Sequence, residues 1–182
     1  MPNTDLEDLL AARQGDTGAG EALVQRHGSS MLRTAWRVLG RYGGNEADDV
    51  VQEALIAALT TGALPTGDVG AWLRSIAARK ALDALRRTGR RKEDALPEPE
   101  EGAELPAAVD LEGRLDVMTI RRGLDQLSAK DRAVLTLADL EGYTMAEIAG
   151  ILGSTTVAIK LRASRARRKL ARLLELPRRG EV

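Results

Sequence analysis

Between residues 93 and 109 stand Pro97, Pro99 and Pro106, with Glu93, Asp94, Glu98, Glu100, Glu101 and Glu104 packed among them. Proline removes amide donors and like charges repel, so neither a helix nor a strand is expected to run through this stretch. The rest of the chain must then fold as two small bodies, 1–92 and 110–182, joined by an extended acidic linker at 93–109.

The vocabulary of both halves is helical. Ala, Leu, Arg and Glu dominate, and no long stretch alternates apolar and polar residues while being rich in Val, Ile and Thr. The pattern predicts an all-α fold, with helices near 4–14, 18–40, 45–61, 68–89, 110–126, 128–140, 144–152 and 155–175. With no Phe, two Trp and two Tyr, the cores must be built from aliphatic side chains.

The charge is zero in total but sorted along the chain, which carries 27 basic and 27 acidic side chains. Residues 71–92 hold eight basic groups against Asp83 alone, and 154–182 hold nine against Glu175 and Glu181. Residues 93–116 between them hold nine acids against Arg114 alone. Two basic blocks separated by an acidic one point to two contacts with a polyanion.

Several chemistries drop out on composition. The chain has no Cys, which removes disulfide scaffolds, Cys-ligated zinc and thiol catalysis. His27 is the single histidine, so a His-rich metal site is excluded and a Ser-His-Asp hydrolase would have to use that residue. No apolar run approaches the roughly 20 residues that span a bilayer, and the acidic start at Asp5, Glu7 and Asp8 is unlike a signal peptide. The expectation is a cytoplasmic protein with no catalytic residues, no cofactor, no metal and no membrane contact.

In the C-terminal half, Thr144 with Glu147 three residues on forms a capping-box pattern, and Gly153 follows the short helix directly. Thr155 can cap the next helix, whose Ile159, Ala163, Ala166 and Leu170 make a narrow apolar stripe. The opposite face carries Val157, Leu161, Ser164, Arg165 and Arg168, flanked by Lys160, Arg162 and Arg167. Two short helices, a tight turn and a basic second helix are the pattern of a helix-turn-helix, whose second helix suits the major groove. Ser128 with Asp131 is expected to cap the supporting helix.

In the N-terminal half, Asn45 is the expected cap of the third helix, with Asp48 three residues on. Val51, Leu55, Ala58 and Leu59 suit a core face, while Asp49, Gln52, Glu53 and Ile56 fall on an adjoining strip. The helix dipole accounts for Asp48 and Asp49. It leaves Gln52 and Glu53 beside an exposed Ile56, a mixed strip that suits a partner surface. On the fourth helix Leu73, Ile76, Ala77, Ala81 and Ala84 point to the core, and Asp83 can pair with Arg79 or Arg87. Trp72 is read as core rather than as a wedge between bases. The surplus from Arg74 to Lys92 suits phosphate contacts.

These runs, taken in order, resemble a bacterial sigma factor. The resemblance is carried by Asp49-Val-Val-Gln-Glu53, by Trp72-Leu73 with Ile76-Ala77, Ala81-Leu82-Asp83 and Leu85-Arg86-Arg87, and by Leu124-Asp-Gln-Leu-Ser128 with Asp131-Arg132-Ala133-Val134-Leu135. Glu141-Gly142, Glu147-Ile148-Ala149, Leu152-Gly153 and the run Val157 to Arg168 complete it. Order and length are similar to the extracytoplasmic-function (group 4) type, which keeps only regions 2 and 4.

The resemblance implies partners and roles. RNA polymerase core, through the clamp helices of β′ and through the β subunit, would receive Asp49, Gln52, Glu53 and Ile56. Promoter DNA would be met twice. The loop 60–70 and the helix carrying Arg74, Arg79, Lys80, Asp83, Arg86 and Arg87 would read and melt the −10 element. The helix carrying Thr155, Thr156, Val157, Lys160, Leu161, Arg162, Ser164, Arg165 and Arg168 would read the −35 element. The acidic linker would thread toward the polymerase active-site channel, and an anti-sigma protein is a further partner the group implies. Three departures stand out: Ala54, Leu55 and Ile56 replace the usual aromatic pair, Arg79 stands where the family usually has Asn, and the loop 60–70 lacks the usual Phe.

Two other classes compete with this reading. A transcriptional regulator with a helical effector or dimerisation domain would need a ligand cavity or a symmetric interface, and residues 1–92 show neither signature. A purely protein-binding adaptor would have no use for the basic face at 154–172. An enzyme finds no nucleophile-base or metal constellation.

Overall fold

The computed structural model describes residues 4–87 and 117–175. Every element among them is helical, and no strand occurs among the described residues, as the sequence predicts. The chain divides into two compact units, Met1–Arg90 and Arg91–Val182. The acidic segment 93–109 lies outside the described residues.

The first unit contains α1 (Thr4–Arg13), α2 (Thr17–Leu39), α3 (Gly43–Thr60) and α4 (Val69–Arg87). α2 is the long central element, starting where Asp16 accepts from the Ala19 N–H at 3.1 Å. Its apolar face meets those of α1, α3 and α4 around Leu9, Leu23, Met31, Ala54, Ala58, Val69, Leu73 and Ala77, all buried. Alanine at 54, 58 and 77 lets the helices approach closely, which is how a chain without Phe fills this core. Arg13 closes the far end of α3 by donating to the Ala58 carbonyl at 3.1 and 2.8 Å and to that of Ala63 at 2.8 Å. Its guanidinium also lies 5.8 Å from the Trp72 ring centroid. Trp72 packs half-buried against the core, the role the sequence suggests for it.

The start of α3 departs from expectation. The helix begins at Gly43, directly after a 3₁₀ turn over Gly40–Tyr42, so Asn45 lies inside its first turns and is not its cap. The reason is steric. Trp36 covers this corner so tightly that a Cβ on Gly43 would sit 2.6 Å from the indole Cδ1. The chain can enter helix there only because residue 43 has no side chain.

The second unit contains α5 (Val117–Asp125), α6 (Ala129–Leu135), α7 (Met145–Leu152) and α8 (Thr156–Glu175). Leu127, Leu135, Ala166 and Leu170 form its centre, with Leu124, Leu173 and Leu174 packed against them. The expected helix 128–140 is two pieces: α6, then a wider π-helical turn over Thr136–Leu140. In that turn the Glu141 N–H reaches back to the Thr136 carbonyl at 3.0 Å, a five-residue step. The turn carries Asp139, which accepts from Arg167 of α8.

Candidate functional site

The helix-turn-helix is built by local chemistry that the sequence displays. The Glu147 N–H donates to Thr144 Oγ1 at 3.3 Å, and the Thr144 N–H donates back to Glu147 Oε2 at 2.8 Å. The Thr144 hydroxyl adds a third bond to the same oxygen at 2.7 Å, and these bonds hold the Glu147 carboxyl below its ordinary range. Gly153 ends α7 with φ 63°, a left-handed conformation that side chains resist. Thr155 then caps α8 by accepting from the Ala158 N–H at 3.2 Å.

On α8, Ile159, Ala163, Ala166 and Leu170 are buried, as predicted. Leu161 is buried too, only 9 % exposed, and this corrects its assignment to the outer face. The predicted stripe is too narrow because α8 packs on α5, α6 and α7 at once, so more of its circumference is covered. Leu161 therefore cannot meet a base edge in this conformation. Arg162 does not stand free on this face: it donates to Asp131 at 2.9 Å, and Asp131 is buried. Arg167 makes two bonds to Asp139, at 3.1 and 2.5 Å.

What stays available is a strip along one side. Val157 is 66 % exposed, Lys160, Arg165 and Arg168 are exposed, and Thr156 and Ser164 are half-exposed beside them. None of Lys160, Arg165 and Arg168 has an ion pair within the described residues, whereas Arg162 and Arg167 do. Lys169 is exposed next to Arg168 and extends the cationic surface; simple periodicity from Arg165 would have found it.

In the first unit the α3 strip is largely as expected. Asp49 and Gln52 are exposed, and Ile56 is 61 % exposed, a large apolar side chain in water. The core side of α3 is rotated slightly from the predicted one. Ala47, Val50, Ala54 and Ala58 lie deepest, and Val51, Leu55 and Leu59 are half-buried around them.

Glu53 differs from its neighbours on the strip. It accepts from Arg87 at 2.9 Å and lies 3.7 Å from the Lys80 ammonium, both on α4. The Arg87 hydrogen bond above all, helped by the charges of Arg87 and Lys80, lowers the Glu53 pKa despite some desolvation. The structure thus brings together residues the sequence assigned to different partners. With Arg87 held by Glu53, Asp83 pairs with Arg86 at 2.9 Å rather than with Arg79 or Arg87. Arg79 is exposed and makes no ion pair within the described residues. Arg74 is half-buried, its guanidinium lying with the His27 ring over Gly70 at the start of α4.

His27 has a structural partner, Asp5 of α1, at 2.9 Å. Among the described residues no cluster of His, Asp or Glu could hold a metal ion. No helix among them is long and apolar enough to cross a membrane.

Known proteins match this arrangement over both units. The Sigma-70 region 2 family matches residues 23–91, and the Sigma-70 region 4 family matches residues 118–170. The ECF RNA polymerase sigma factor SigM of Mycobacterium tuberculosis is 32% identical over 177 residues, which cover 94% of this chain and 85% of SigM. Among solved structures, CnrH in complex with the cytosolic domain of CnrY matches with a TM-score of 0.61 at 27% identity, covering 94% of this chain and 97% of that one. The sigma factor RpoE of Bartonella quintana, in complex with the anti-sigma factor NepR, shares the fold with a TM-score of 0.61 at 24% identity, covering 87% of this chain and 98% of that one.

Proposed function

Because this chain belongs to the extracytoplasmic-function sigma factors of the sigma-70 family and directs promoter-specific initiation by RNA polymerase, we propose that three of its surfaces divide that work. Residues 1–92 are region 2 and 110–182 are region 4, with the acidic segment 93–109 as the connection between them. Asp49, Gln52, Glu53 and Ile56 on α3 dock on polymerase core, at the clamp helices of β′. Ile56 supplies the apolar centre of that contact and the acids its charge. α4 handles the −10 strand through Arg79, Arg86 and the cations near its C-terminal end. α8 reads the −35 element in the major groove through Val157, Lys160 and Ser164, with Arg165 and Arg168 on phosphates.

One observation carries the assignment of α8. Of its basic residues, Arg162 and Arg167 are tied to acids of the same unit, while Lys160, Arg165 and Arg168 face outward without a counter-ion among the described residues. The outward cations are open to phosphate, and they stand on the helix that follows the tight turn at Gly153, the place of a recognition helix.

The protein acts as a non-enzymatic initiation factor in the cytoplasm. An anti-sigma protein is the further partner expected for its group, and CnrH was solved in complex with a protein partner, the cytosolic domain of CnrY. The test is gel filtration with purified core polymerase followed by transcription from a fork template. Co-elution with promoter-dependent initiation supports the reading. Failure to co-elute would leave the α3 strip without its assigned partner.

A further inference from the structure

The ion pairs of Glu53 join the exposed strip of α3 to the basic side of α4. Glu53 stands on the docking strip of α3, beside Gln52 and Ile56, yet its carboxylate is held by Arg87 at 2.9 Å and approached by Lys80 at 3.7 Å. All three side chains remain at the solvent boundary, with relative exposures of 38 %, 60 % and 33 %. A cation of a docking partner can therefore reach Glu53, and a phosphate can reach Arg87. It cannot gain the full attraction of Arg87 and Lys80 while their counter-ion stays in place.

We propose that Glu53 is a positioning residue that holds Lys80 and Arg87 away from DNA in the free chain and releases them when the α3 strip docks on its partner. This rests on the reading of α3 as the core-docking strip. A carboxylate shared between two surfaces makes binding at one favour binding at the other, because the partner that takes the carboxylate leaves the cations unneutralised. The lowered pKa of Glu53 has the same origin, the Arg87 hydrogen bond first and the charges of Arg87 and Lys80 after it. Asp48, exposed on the same helix, has no such link to α4 among the described residues and serves as the comparison.

The experiment uses the full chain and an end-labelled single DNA strand of mixed sequence, since phosphate contacts do not require a known promoter. Glu53→Gln keeps the shape and removes the charge. In the free chain it should bind the strand roughly three- to tenfold more tightly at low salt, the range expected for one or two exposed ion pairs. Its salt slope should be steeper by about 0.7 for each cation released. Asp48→Asn, which removes the same charge elsewhere on α3, should change affinity by less than about twofold. Adding Lys80→Ala and Arg87→Ala to Glu53→Gln should cancel the gain. At saturating core, wild-type and Glu53→Gln holoenzymes should bind the strand within about twofold of each other, the pairs having already opened.

Unchanged affinity of the free Glu53→Gln chain overturns the proposal, as does a gain that Asp48→Asn reproduces. A gain that survives loss of both cations, or that persists undiminished in the holoenzyme, overturns it equally. Titration of the same variants with core alone tests the docking reading separately. A chain that gains strand affinity but never binds core would refute docking while leaving the internal restraint standing.

Discussion

Arg162 of α8 donates to the Asp131 carboxylate of α6 at 2.9 Å, across 31 positions of sequence. Asp131 is 6 % exposed and lies in the first turn of α6, where the helix dipole favours its charge. One cation of the basic helix thus fixes that helix to the body beneath it. In the free chain Arg162 acts as a strut.

Removing this strut should loosen the second unit. Asp131→Ala leaves the Arg162 guanidinium, half-covered by protein, without this partner, and should cost about 1–3 kcal/mol, below the full penalty of a wholly buried pair. Hydrogen exchange of the α6 to α8 amides in the full chain measures it. Unaltered protection there would mean that the pair is ornamental.

The capping box makes a pH prediction. The Glu147 pKa is depressed in the folded state, so its contribution to stability is fully present above the ordinary carboxylate range. That contribution is lost as the pH falls from about 4.3, the unfolded value, through the lowered folded one. Acid titration of α7 amide exchange should show this loss in the wild type and much less of it in Glu147→Gln. Thr144→Ala, which removes the cap itself, should cost about 1 kcal/mol at neutral pH.

On α8 the two kinds of contact separate by their salt dependence. Arg165→Ala and Arg168→Ala should weaken binding about equally on all −35 sequences, each reducing the salt slope by about 1. Lys160→Ala should instead change the preferred base at one position, at about 1–3 kcal/mol. Binding to single-base variants at two salt concentrations distinguishes them. A uniform loss for Lys160→Ala would move that residue to the phosphate class.

The docking strip can also be tested with Glu53 itself left in place. Gln52→Lys with Ile56→Glu alters two exposed positions, so stability should stay within about 0.5 kcal/mol for each. Core affinity should fall at least roughly tenfold if Ile56 is the apolar centre of the contact. Retained affinity, measured by titration of labelled core, would move the interface off this face.

What was legible in the sequence was short-range. Thr144 with Glu147, Ser128 with Asp131, Thr155 and Gly153 act within a few residues of themselves, and all four features form as expected. The helix periods likewise placed Ile159, Ala163, Ala166 and Leu170 inside. The errors come from contacts between elements. Asn45 looks like a cap until Trp36 and Gly43 are seen to set the corner two residues earlier. Leu161 looks exposed until three helices crowd α8. The Glu53–Arg87 and Arg167–Asp139 pairs span 34 and 28 positions, and no periodicity reveals which of several acids a given arginine will choose.

The indole rings are unevenly shared. Trp36 lies against Gly43 at the corner between α2 and α3, and Trp72 lies under Arg13 where α1 meets α4. Both belong to the first unit, while the second has only Tyr143. Tryptophan fluorescence of the intact protein is consequently a built-in spectroscopic tag for one half of the molecule. Emission will follow melting of the α1–α4 bundle and remain blind to α5–α8, so a single optical curve must not be taken for the unfolding of the whole chain.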